Sequence, residues 1–257
     1  MSEANSVKNP IIPGTKIMKL AAGKGVESTK YMSLISSLMY LTVTRPDLMY
    51  VVSLLARFME KPKEEHMAVA KQVLRYIKGT MNYGLHYGKD QSQKLKVFTD
   101  INYARDLENR KSTSGYVCLF SGAAICWSSR KQEVVTLSST EAEYVAATTC
   151  TCHCVWLKGI LEEVEENTGT VEVMCDNCST IKLSKNPIMH RRTKYIDVRF
   201  HYIRELVNKD IIRLNFCGTK EQLADMMTKP LSLAAFEFIR EEIGVKDLKQ
   251  EAQRLPV

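Results

Sequence analysis

A change of hydrophobic period near Leu95 constrains this chain more than any other feature. Before it, apolar residues recur at helical spacing. Residues 31–43 carry Leu34, Ile35, Leu38 and Leu41 on one side, residues 47–58 continue the pattern, and residues 63–78 align Ala70, Val73, Leu74 and Ile77. Arg45-Pro46 and Lys61-Pro62 suit helix starts, where proline's missing N–H costs nothing. After it, Leu95-Lys96-Val97-Phe98-Thr99 reads as a strand ending at Asp100. Residues 115–120 and 123–128 form a hairpin through Ser121-Gly122, and 134–137 are a short extended piece. A long helix over 139–165 follows, then a strand over 171–175, helices over 179–184 and 195–207, a strand alternating at Ile212, Leu214 and Phe216, and a helix over 220–228. Strands alternating with helices after a hairpin predict an α/β chain of α+β type, a mixed sheet with helices packed on it. The expected divisions are an extended or partly disordered lead-in (1–28), a helical bundle (29–92), the sheet domain (93–231), and a C-terminal helix and tail (232–257).

Composition narrows the class. At 45% hydrophobic and 25% charged, 257 residues bury a sizeable core, which excludes a disordered chain, a collagen and a coiled coil. The longest apolar stretch, 34–55, is broken by Ser36, Ser37, Arg45-Pro46-Asp47 and Ser53, so no membrane span is expected. Met1-Ser2-Glu3-Ala4-Asn5 lacks the basic flank and apolar run of a secretory signal, so the chain is expected not to be secreted. The eight cysteines are then expected to stay reduced. Cys150, Cys152 and Cys154 beside His153 suggest metal ligands, but on a helix Cys152 faces away from the other two, so they cannot close one tetrahedron.

Charge distribution says more than the net value of +7. Up to Ser92 there are 13 Lys and Arg against 7 Asp and Glu, whereas residues 185–213 hold 8 basic and 3 acidic residues. Two basic stretches flank an acid-rich middle, which suits a polyanion held near carboxylates. On charge alone, solvated helix faces account for it equally well.

Four acids occupy informative places. Asp100 and Asp176 each follow an apolar strand, where open α/β sheets bind ligands. On the long helix, Ala147, Cys150, Cys154, Leu157 and Leu161 define the buried stripe, and Glu143 extends it by one turn. A carboxylate on a buried stripe is costly unless paired or bound to a cation. Glu141 has a structural explanation instead, because Ser138-x-x-Glu141 is a capping box. Asp225 lies in a segment that Thr219-x-x-Gln222 would cap, and alone it would read as a solvated helix residue. Converging carboxylates hold divalent cations, and two Mg²⁺ ions about 4 Å apart clamp the attacking and leaving oxygens in phosphodiester hydrolysis.

Several motifs, in order, resemble one family. They are Phe98-Thr99-Asp100, Arg110-Lys111-Ser112-Thr113-Ser114-Gly115-Tyr116, Leu137-Ser138-Ser139-Thr140-Glu141-Ala142-Glu143-Tyr144, Cys175-Asp176-Asn177 and Gln222-Leu223-Ala224-Asp225-Met226-Met227-Thr228-Lys229-Pro230. The chain from about Lys8 to Gly244 resembles the ribonuclease H domain of copia-type LTR retrotransposon Pol polyproteins and the segment before it. Thr44-Arg45-Pro46-Asp47 and Val73-Leu74-Arg75-Tyr76-Ile77-Lys78-Gly79-Thr80 resemble the link from polymerase, taken as a helical thumb. No Tyr-x-Asp-Asp motif, integrase or protease segment occurs, so the chain reads as the last piece of such a polyprotein.

The resemblance implies a five-stranded ribonuclease H sheet and Mg²⁺-dependent cleavage of RNA in RNA/DNA hybrids, with two ions and Mn²⁺ as a substitute. It assigns Asp100, Glu143, Asp176 and Asp225 as the catalytic, metal-binding set. Lys185, Arg191, Arg192, Lys194, Arg199 and Arg204 are candidates for phosphate contacts, some of which could instead pair with Asp197 or Glu205. The implied partners are the hybrid and the element's own reverse transcriptase, in a cytoplasmic or nuclear particle. One departure matters: the family has Asp-Ala-Asp-Trp-Ala-Gly-Asp, where this chain reads Asp100-Ile101-Asn102-Tyr103-Ala104-Arg105-Asp106. Asn102 and Arg105 alter the surroundings of the first acid, so the alternative is an inactive nucleic-acid-binding remnant.

Overall fold

The computed structural model describes residues 3–19, 23–88, 94–106, 108–164, 169–185 and 194–254, with the backbone alone for 194–200 and 254. The chain divides into two compact units, one formed by 1–87 with 229–257 and the other by 88–228. Among the described residues no helix is long and apolar enough to cross a membrane.

The first unit packs α1 (Ser28–Leu41), α2 (Met49–Ala56) and α3 (Glu64–Gly79) around Tyr31, Ile35, Leu48, Leu55, Val73 and Tyr76. The lead-in is extended and tied to α3, where Gln72 donates to the Asn9 carbonyl (3.0 Å) and Arg75 to that of Asn5 (2.7 Å). Strand β1 (Tyr83–Leu85) pairs antiparallel with the last strand of the chain, Val245–Asp247, which lies between helices Leu233–Glu242 and Leu248–Arg254. The tail segment therefore belongs to the same compact unit as the helical bundle.

A buried polar knot explains the Thr44-Arg45-Pro46-Asp47 motif. Arg45 forks onto both Asp47 carboxylate oxygens (2.9 and 2.8 Å) and donates to the Thr80 carbonyl (3.0 Å) and hydroxyl (2.9 Å). Tyr76 donates its hydroxyl to Asp47 (2.7 Å), and Arg240 donates to that hydroxyl (3.2 Å). Arg45 and Asp47 are 5% and 3% exposed, so the motif serves packing, where a buried ion pair survives only if its hydrogen bonds are complete.

The second unit is a five-stranded mixed sheet. Strands β2 (Lys96–Asn102), β3 (Thr113–Phe120) and β4 (Ala123–Lys131) run antiparallel, and β5 (Val171–Cys175) and β6 (Ile212–Phe216) join β2 in parallel, giving the order β4-β3-β2-β5-β6. This is the sheet implied by the resemblance. Helix α4 (Ser139–Glu163) buries Tyr144, Ala147, Cys150, Cys154 and Leu157 against Leu95, Val97, Val171 and Val173, and α6 (Lys194–Asn208) adds Ile203 and Leu206. The short α5 (Cys178–Lys185) lies between β5 and α6 in the chain.

Three details differ from the sequence reading. Strand β2 continues two residues past Asp100, because its ladder with β3 runs on to Asn102 opposite Thr113. The expected helix over 220–228 is two 3-10 turns, Thr219–Glu221 and Leu223–Met227, because Gln222 between them turns its side chain to the sheet. Residues 134–137 carry no strand pairing.

Candidate active site

Strand register brings the first two acids level. Strand β2 pairs with β5 only through Lys96, Val97 and Phe98 opposite Glu172, Val173 and Met174. Extending that register two residues sets Asp100 beside Asp176, where the strands part. Asp100 is 2% exposed and Asp176 half-buried. Opening a crevice at the carboxyl end of parallel strands is how such sheets make room for ligands.

Glu143 reaches the same end from α4. Its carboxylate, the Asp176 carboxylate and the Cys175 thiol offer ligand atoms that all lie within 4.8 Å of one another. Glu141 serves the helix start as expected, its N–H donating to Ser138 Oγ (3.1 Å), but its carboxylate accepts from the Leu137 N–H (2.8 Å), one residue before the N–H that a capping box uses. Glu143, 5% exposed, is thereby turned inward. Asp225, 6% exposed, comes from the second 3-10 turn.

The thiols report the field of this cluster. Burial, followed by Asp176, Glu221, Asp100 and Asp225, pushes the Cys217 thiol up to about 12. Burial and then Glu143 raise Cys175, the partner of Cys217 in a backbone bond of 3.0 Å. A carboxylate near a thiol disfavours its thiolate, so all four acids act on one adjacent pair of residues. Glu143 and Asp176 thus lie within ligand distance of each other, and Asp100 joins the Asp225 turn through Thr228, whose backbone N–H donates to the Asp225 carbonyl (3.1 Å).

Side chains from distant parts of the unit hold this arrangement, and two of them, Thr228 and Gln132, have no role that the sequence alone assigns. Thr228 donates its hydroxyl to Asp100 Oδ2. Asn102 donates to the Thr228 carbonyl (3.2 Å), and Gln222 donates to the Thr99 carbonyl (3.0 Å) while accepting from Ala224 (3.2 Å), so the turn bearing Asp225 is stitched across β2. Gln132 ties Ser114 Oγ (2.8 Å) to the Ala142 carbonyl (2.9 Å), one residue before Glu143. Asn102 is thus occupied in the stitch, and Arg105 is exposed. Asp106 lies outside the cluster: burial raises its carboxyl, but Lys131 and the backbone of Asn109 hold it below its ordinary value.

Gly115 is the partner of Asp100 in the ladder. A Cβ there would stand 2.5 Å from Met227 Cβ and 2.7 Å from Thr228 Cγ2, so only glycine lets the Asp225 turn lie against β3. Gly115→Ala is expected to cost roughly 1–3 kcal/mol through this overlap. Thermal unfolding should register that loss, and any cleavage activity should fall with it. An unchanged melting temperature would mean that the turn is not fixed there.

The basic residues fare unevenly. Lys185 is exposed at the end of α5, and Arg204 is half-buried. Arg191 and Arg192 lie outside the described residues, as do the side chains of Lys194 and Arg199.

No protein-family model matches the sequence. Among solved structures, the N-terminal RNase H domain of rv2228c from Mycobacterium tuberculosis aligns with a TM-score of 0.40 at 14% identity, covering 58% of this chain and 98% of that one. Secreted RxLR effector protein 161 of Plasmopara viticola is 41% identical over 133 residues, 51% of this chain and 94% of the effector. The retrovirus-related Pol polyprotein from transposon TNT 1-94 of Nicotiana tabacum is 41% identical over 252 residues, or 95% of this chain and 19% of the polyprotein. The chain thus spans about a fifth of that relative's length. With identity held through nearly all of both compact units, it belongs to the Pol polyproteins of copia-type retrotransposons.

Proposed function

We propose that the chain is a Mg²⁺-dependent ribonuclease H that cleaves the RNA strand of RNA/DNA hybrids. The observation that carries this reading is Glu143 and Asp176 within ligand distance of each other where β2 and β5 part, with Asp100 level with Asp176 and joined through Thr228 to the Asp225 turn. Three of the four are nearly buried, and desolvated carboxylates favour a cation over water. The carboxylate donors fit Mg²⁺, with Mn²⁺ as a substitute, and burial beside Glu143 keeps the neighbouring Cys175 thiol protonated and so a poor ligand. Bound there, two such ions would activate a water on one side of the scissile phosphate and stabilise the departing oxygen on the other.

The chain's own part is preorganisation. Thr228 engages one oxygen of Asp100 and so fixes the carboxylate plane. Gln222 and Asn102 keep the Asp225 turn against β2, and the α4 cap aims Glu143 inward. Lys185, Arg191, Arg192, Lys194, Arg199 and Arg204 supply charge for the phosphate backbone. Hybrid would be told from other duplexes by 2′-hydroxyl contacts and shape, not by base edges. The reverse transcriptase of the same element is the proposed protein partner.

The test is purified chain with labelled RNA/DNA, RNA/RNA and DNA/DNA duplexes in Mg²⁺. Cleavage confined to the RNA of the hybrid, and stopped by chelator, is the expected result. Hybrid binding by folded protein without cleavage would replace this reading with a noncatalytic binding remnant.

A further inference from the structure

Four of the eight cysteines meet on the α4 side of the sheet, away from the carboxylates. Cys118 on β3 and Cys150 and Cys154 on α4 are fully buried in one core cluster, and Cys126 on β4 packs against it. All are free thiols.

Geometry singles out one pair. Cys118 and Cys126 are direct cross-strand partners. Residues opposite each other in an antiparallel ladder have Cα atoms about 4.5–5.5 Å apart, within the roughly 4.4–6.8 Å that a disulfide spans. Their side chains share a face, because cross-strand partners point the same way. Strand β4 is an edge strand, and its register slips just past Cys118, leaving Ile125 without a partner. Such a bulge loosens the hairpin where a new bond would have to form. Access differs across the cluster. Cys126 is half-buried, with the Tyr116 hydroxyl 3.9 Å from its sulfur, whereas Cys150 and Cys154, 3.8 Å apart, are sealed beneath the sheet.

We propose that Cys118 and Cys126 form a redox-active pair that closes to an intramolecular disulfide with glutathione disulfide as oxidant. Cys126, having released its proton to water, attacks one sulfur of the oxidant. That S–S bond breaks, one glutathione leaves as thiolate and takes up a proton, and a mixed disulfide remains. Cys118 then gives up its proton, attacks the Cys126 sulfur, and expels the second glutathione. Two protein thiols are oxidised, and one glutathione disulfide is reduced to two thiols.

The electrostatics agree with this division of labour. Hydrogen bonding from Cys118 outweighs burial and, with Tyr116 helping, brings the Cys126 thiol down to about 7. The same contact, with one to Cys154, pushes Cys118 well up, and Cys154, though drawn down itself, is fully buried, so access leaves the first attack to Cys126.

Trypsin makes the test direct, because both residues fall in one peptide, 112–130, whereas Cys150, Cys152 and Cys154 fall in 132–158. The whole chain is incubated in a glutathione redox buffer, alkylated under denaturing conditions, and digested without reduction. Peptide 112–130 should appear unalkylated and lighter by two hydrogens, and prior reduction should restore two alkyl groups. Cys126→Ser should remove the light form. Two alkylated cysteines after oxidation, a lasting glutathione adduct on Cys126, or a link between 112–130 and 132–158 would each overturn the pairing. The wild-type map decides alone if the variant misfolds.

Discussion

Asp176→Asn should cut hybrid cleavage by roughly a hundred- to a thousandfold while leaving the fold intact. The substitution keeps shape and removes one negative charge from the group formed with Glu143 and the other acids. A bound cation contributes several kcal/mol of transition-state stabilisation, and each 1.4 kcal/mol or so lost is about tenfold in rate. Asp176 is half-buried after the end of β5, so its replacement disturbs no core packing. Glu141→Gln is the matched control, since Glu141 only caps α4, and its rate should stay within about twofold. Single-turnover cleavage of labelled hybrid separates the two, and full activity in Asp176→Asn would remove that carboxylate from the mechanism.

Asp47→Ala should destabilise the first unit by roughly 3–5 kcal/mol, the cost of stranding one member of a buried ion pair. Arg45 would keep its bonds to Thr80 but lose both carboxylate oxygens, and the Tyr76 hydroxyl would lose its acceptor. At about 4 °C per kcal/mol for a unit of this size, its melting transition should fall by roughly 10–20 °C. Replacing Arg45 and Asp47 together with apolar residues should recover much of the loss, because the penalty belongs to the orphaned charge. Calorimetry on both variants distinguishes this from a plain packing defect, in which the double change would be the worse one.

Local pattern carried much of the architecture. Strand Val171–Cys175 follows from its own apolar residues, and the stripe through Ala147, Cys150 and Cys154 fixes which face of α4 is buried. Glu143 could be told from Glu141 because a cap and a buried stripe each have a sequence signature. What stayed hidden depends on partners far along the chain. The full length of β2 is set by Thr113 and Ser114 on another strand. The turn around Asp225 looks helical until Gln222 is seen reaching the Thr99 carbonyl, 123 residues away. Gly115 reads as an ordinary strand glycine until Met227 and Thr228 are laid over it. The Cys118–Cys126 pairing needs a register that a bulge makes impossible to count from the hairpin turn alone.

Strand β1 ends at residue 85, and its only partner among the described residues begins at 245. Every strand of the sheet unit, by contrast, finds its neighbours between 96 and 216. On a ribosome adding about 5–20 residues per second, the first-made helices therefore wait on the order of ten seconds for Phe236, Ile239 and the closing strand, while the later-made sheet can complete itself. Of the two units, the one begun earlier is closed later, and throughout that interval it offers an unpaired strand edge and an uncovered apolar face to chaperones or to neighbouring chains.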